Sequence, residues 1–178
     1  MSSVADLWEA IAVEAGHESP LWGAALLAEE AREREPVFSP LGEDRWALGL
    51  ETIYEGYLLH YGTPRLFSPP SGDTALLLGD YLYAHGLVRI SEHEDVAAVA
   101  DLAELISLCA QLRADRLDGD GVAWAATAAL LGTGTLGEAR DALRLEGDVG
   151  PLGELALAAA GPVPLEVALR AHGRRAGR

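Results

Sequence analysis

Apolar residues recur at intervals of three and four along almost the whole chain, and no run alternates with period two for long enough to argue for a sheet. That spacing predicts helices packed through one apolar face each. Ser2 or Ser3 can cap a first helix carrying Leu7, Trp8, Ile11 and Ala12, with Gly16 as its C-cap. Pro20 suits the first turn of a second helix, which runs through Leu21, Trp22, Ala25, Leu26 and Ala28 into the charged stretch 29–35 and stops before Pro36. Asp44 is the expected start of a third helix over 45–60, with a broad apolar face of Leu48, Leu50, Ile53, Tyr54, Tyr57 and Leu58. Gly62, Pro64, Pro69 and Pro70 then make a loop.

Asp73 is the expected cap of the next helix, which ends near Gly86. Ser91 followed three residues later by Glu94 reads as a capping box opening a helix to about Leu117. A turn over 118–121 precedes helical stretches at 122–131, 136–145 and 151–160. Pro162 and Pro164 are expected to end the compact part. The predicted organisation is an all-α bundle of seven or eight helices forming a single domain over 1–160, with a loose Pro- and Arg-containing tail over 161–178.

Charge narrows the function classes. All 13 basic residues are Arg, against 28 Asp and Glu, for a net charge of -15. Four of those Arg lie in the last nine residues, so the body of the chain is more acidic still. Such a surface repels phosphate backbones and anionic lipid, which argues against nucleic-acid and membrane partners. The uncharged stretch 122–137 falls short of the ~20 residues that span a bilayer. A single cysteine, Cys109, and an N-terminus without a basic, apolar leader predict a cytoplasmic protein.

Few residue patterns carry chemistry. Gly132-Thr133-Gly134-Thr135-Leu136-Gly137 spells a dinucleotide fingerprint, but an Ala-rich helix former precedes it instead of the required strand, so it reads as a helix-to-helix turn. Glu92-His93-Glu94-Asp95 reads as a solvated helix cap. Asp115, Asp118 and Asp120 read as a turn, because the spacing and terminal glutamate of a calcium loop are missing. Cys109 lies in an apolar stripe and reads as a buried, inert thiol. His60 closes an apolar helix. A reading as an enzyme would pair it with Glu51 or Glu55, without a metal cluster or nucleophile in support. No cofactor is implied.

A family resemblance adds a sharper expectation. Glu51-Thr52-Ile53-Tyr54-Glu55-Gly56-Tyr57-Leu58-Leu59-His60 resembles the E-L-x-H-x-x-S-L-I-H helix of trans-isoprenyl (polyprenyl) diphosphate synthases. The segment 74–84 is similar to that family's A-x-L-x-G-D-x-L-x-A, Ala126-Thr127-Ala128-Ala129-Leu130 to its K-T-A-x-L, 143–155 to the approach to its second aspartate-rich motif, and 16–30 to the region of its G-K-R-x-R-P. The pieces span about 140 residues in the family's order. Where the family carries D-D-x-x-D, whose carboxylates hold Mg²⁺ on the diphosphate, this chain has Tyr61-Gly62-Thr63-Pro64-Arg65. Ala126 replaces the Lys of K-T, and His17 and Glu18 fall opposite the Lys and Arg of G-K-R.

The resemblance therefore implies a truncated, degenerate relative without catalytic residues or bound metal. It implies a non-catalytic subunit of a heterodimer, pairing with a full-length polyprenyl diphosphate synthase and modulating isoprenoid chain synthesis. The family's dimer helices correspond to 73–87 and 91–117, which makes Leu77, Tyr81, Val99 and Ile106 the expected interface for that partner or for self-association. Tyr54, Tyr57 and His60 are the expected tunnel-lining residues. The alternative is a stand-alone homodimer that keeps an apolar tunnel and carries an isoprenoid or other lipid in it.

Overall fold

The structure is a computed structural model and describes residues 4–176. Its elements are α1 (Val4–Glu18), α2 (Pro20–Ala25), α3 (Ala47–Tyr61), α4 (Gly72–Ser91), α5 (Val96–Asp115), α6 (Asp120–Ala129), α7 (Gly137–Asp141), α8 (Gly150–Ala160) and α9 (Pro162–Arg175). A π-type turn over Ala142–Glu146 extends α7. The chain is all-α, as its periodicity requires. No strand occurs among the described residues, which contain two isolated bridges, Leu26 to Phe67 and Gly62 to Ala176.

The bundle is built around α3. Every residue from Gly49 to Leu59 is buried, including Glu51, Thr52 and Glu55. A helix can be enclosed on all sides only if its neighbours come close, and glycines allow that on the α4 side. Gly49 faces Gly86 and Gly56 faces Gly79, each pair within van der Waals reach of the other's backbone carbonyl. A Cβ built on Gly56 would lie 2.9 Å from the Gly79 oxygen. The two helices thus run antiparallel with their backbones in contact through glycines seven residues apart.

Two apolar clusters flank this pair. The larger gathers Phe38, Trp46, Tyr54, Tyr57, Leu102, Leu105, Trp124, Leu143 and Leu152 where α3 meets α5, α6, α8 and α9. The smaller gathers Trp8, Ile11, Ala15, Leu66, Phe67, Leu78 and Leu82 beneath α1 and α2.

Several boundaries depart from expectation, each for a local reason. Residues Asp44–Trp46 form a 3₁₀ turn, so α3 begins at Ala47. α2 stops at Ala25 because the chain turns extended there: the Leu27 amide donates to the Leu66 carbonyl and the Ser68 amide to that of Ala25. Ser71 caps α4 by accepting from the Thr74 amide. Gly86 does not end α4, which continues to Ser91; that glycine makes a helix contact instead of a stop. The Ser91–Glu94 capping box is absent, since Ser91 Oγ donates back to the Val88 carbonyl and Asp95 caps α5. The expected Ser2 or Ser3 cap lies outside the described residues.

The largest correction concerns the C-terminal segment. Residues 162–175 form a helix, not a loose tail. Pro162 sits in its first turn, where a missing N–H costs nothing. Ala168 and Ala171 let the helix lie close to the bundle, and His172 and Arg175 are buried. Arg175 pairs with Glu33, and Arg174 with Glu35 at 3.3 Å. The compact unit therefore extends through α9.

Candidate functional site

Two polar centres lie on α3, one on each side of it. The first is fully buried. Glu51 and Glu55, one helical turn apart, both meet Arg65 from the loop after α3. Arg65 Nη1 donates to Glu51 at 2.6 Å and Nε to Glu55 at 2.9 Å. The second oxygen of each carboxylate is also engaged: Glu51 accepts from the amides of Val37 and Ser39, and Glu55 from those of Arg65 and Leu66. The guanidinium lies over the Trp8 ring at 4.5 Å and donates to the Glu35 carbonyl. This triad joins α1, α3 and two loops, and none of its three side chains reaches solvent. The i, i+4 glutamates in an otherwise apolar helix were the visible signal for it. The arginine that completes it carried none.

The second centre lies where α9 crosses the far half of α3. Tyr54 and Tyr57 stack with centroids 5.8 Å apart, and Trp124 meets both edge-on. Phe38 and the His172 ring close the cluster. The Tyr54 hydroxyl is 3.0 Å from His172 Nδ1. The Tyr57 hydroxyl donates to Asp120 and accepts from Arg113 at 2.5 Å. Arg113 also pairs with Asp120, and His172 Nε2 stands 3.6 Å from the same carboxylate.

Beside this network opens a polar cavity of about 90 Å³, lined by Arg113, Leu117, Asp118, Asp120, His172 and Gly173. It has room for a few water molecules. Burial, reinforced by the bond to Asp120, pushes the Tyr57 phenol far above its ordinary value. Burial does the same to Tyr54. Burial alone would raise the Asp120 carboxyl, but His172, Tyr57 and Arg113 together hold it well below the usual carboxylate range. Both phenols are thus kept neutral and the carboxylate charged, an arrangement that fastens α9 more readily than it moves protons.

The expected site residues separate. His60 is not brought to Glu51 or Glu55, whose oxygens are occupied. It stacks on Tyr83 with centroids 5.0 Å apart, packs over Gly79 and stands 3.2 Å from Asp80. Burial lowers its pKa against the pull of Asp80. Tyr54 and Tyr57 are wholly buried, with aromatic rings against their faces. The turn standing where the resemblance puts the first aspartate-rich motif is held by α9, with Thr63 donating to the Arg175 carbonyl. Cys109 is buried, and burial pushes its thiol up. Among the described residues no group of three or more His, Cys, Asp and Glu can hold a metal ion. No helix among them is long and apolar enough to cross a membrane.

The expected interface residues differ in exposure. Leu77 is 58% exposed. Tyr81 is half-buried, stacked between Trp22 and His85. Val99 and Ile106 are half-buried against the larger cluster. On the same two helices, Leu76, Ala84 and Val88 of α4 and Val96, Ala100, Ala103 and Ala110 of α5 face solvent. Val88 is 54% and Val96 82% exposed. A comparison of the chain with protein-family models, with curated proteins and with solved structures finds no match.

Proposed function

We propose that the protein is a non-catalytic subunit that docks on an active polyprenyl diphosphate synthase through the outer faces of α4 and α5, and so modulates isoprenoid chain synthesis. The observation that carries this reading is the apolar character of that surface in a chain with a net charge of -15. Large exposed side chains at Leu77, Val88 and Val96 are what a helix face presents when another protein covers it. The similarity of 51–60 and 74–84 to the synthases supplies the identity of the partner.

The lipid-carrier reading has less support. Tyr54 and Tyr57 are stacked on each other and enclosed by Trp124, Phe38 and His172, and the cavity beside them is small and polar. A prenyl chain needs an apolar channel there.

Purification of the tagged protein from its own cells tests the proposal. A full-length prenyl diphosphate synthase is expected in near-equal amount, with a shift in product length when this chain is added to it. Leu77→Glu combined with Val96→Glu should abolish both without unfolding the bundle. Recovery of the protein without a synthase, and unchanged products on mixing, would overturn the reading.

A further inference from the structure

The same face carries information about the charge of what covers it, and this inference rests on the docking surface just proposed. Between Gly72 and Asp115 the chain has eight acids and two arginines. Both arginines are committed inward: Arg89 is buried on Glu14 and Thr52, and Arg113 serves Tyr57 and Asp120. Of the acids, Asp95 caps α5 and Asp101 is buried with Arg140. The other six, Asp73, Asp80, Glu92, Glu94, Glu104 and Asp115, are exposed, with Glu104 paired to Arg144 at 2.7 Å and Asp80 beside His60. The exposed apolar residues of α4 and α5 thus share their helices with carboxylates, with no exposed arginine inside either helix and Arg116 directly after α5.

We infer that this face is built for a different chain, one whose apolar helix surface is bordered by Lys or Arg, and that it disfavours pairing with a second copy of itself. A two-fold dimer sets each patch against its own image, so the acidic border of one copy would meet that of the other. Like charges at an interface rim act against association, while a basic border on a partner both attracts it and fixes its register. The strip supplies the apolar contact and the border selects who makes it.

Site-specific photocrosslinking in the full chain, in its own cells, tests this. A photoreactive phenylalanine analogue is placed at Ala84 or at Ala103, and at Ala159 on α8 as the control position. The expected product joins Ala84 and Ala103 to a different protein, at a peptide with Lys or Arg flanking the linked residue. Its yield should fall about tenfold when Asp80, Glu92 and Glu94 are all changed to Lys, a change at exposed positions that circular dichroism can show to leave the fold intact. Crosslinks between two copies of this chain, equal labelling from Ala159, an acidic captured peptide, or a yield indifferent to charge reversal would each overturn the inference. A basic captured segment from a protein that is not a prenyl synthase would leave this inference standing and overturn the proposed function.

Discussion

Gly56→Ala puts the closeness of α3 and α4 to a quantitative test. A methyl group at this position would stand 2.9 Å from the Gly79 carbonyl oxygen and 3.0 Å from Tyr83 Cδ1, against 3.4 Å for ordinary contact. The oxygen belongs to a helical backbone and cannot rotate away, so the helices must separate by about half an ångström over their whole interface. Overpacking of this kind costs about 1–3 kcal/mol. Removing a glycine from a helix interior returns about 1 kcal/mol through propensity. The net expectation is a loss of up to about 2 kcal/mol, or a midpoint lowered by up to roughly 8 °C in thermal unfolding followed at 222 nm. Gly173→Ala is the matched control, because its Cβ meets nothing within 4 Å inside α9. It should gain about 0.5–1 kcal/mol and raise the midpoint. A Gly56→Ala protein stabilised as much as the Gly173→Ala protein would refute the contact.

Further outcomes follow from the two polar centres. Arg65→Met strands two buried carboxylates and should cost about 3–5 kcal/mol in urea unfolding, with Arg65→Lys failing to restore the loss because an ammonium cannot replace the planar fork. Asp120 has a folded pKa below its unfolded one, so its contribution is complete above about pH 4 and lost as pH falls further. Asp120→Asn should therefore flatten the acid limb of the midpoint between pH 2.5 and 5; an unchanged limb would remove Asp120 from the account. Cys109 should resist iodoacetamide at pH 8 and react at the rate of global unfolding, whereas rapid labelling of the native protein would place the thiol at the surface.

The helices themselves were legible because glycine and proline punctuate a strong period, yet the same residues misled at their ends. Gly86 looks like a stop and is a contact, since a glycine's tertiary use leaves the same letter as a cap. Pro162 looks like an end and is a first turn, a position where proline is equally at home. Glu51 and Glu55 were read as partners for His60, and the arginine they hold instead lies ten residues beyond Glu55 in an irregular loop that no periodicity marks. His172 was hidden in the segment expected to be loose. Its partner Tyr54 is 118 residues away, and only the packed fold brings them together.

That separation has a consequence in time. The aromatic cluster of α3 is closed by α9, whose His172 follows Tyr54 by 118 residues. At roughly 5–20 residues per second, the 118 residues between Tyr54 and His172 take roughly 6–24 s to synthesise. Throughout that interval the nascent chain holds Tyr54, Tyr57 and Phe38 without their final cover, so they remain open to chaperones and to aggregation.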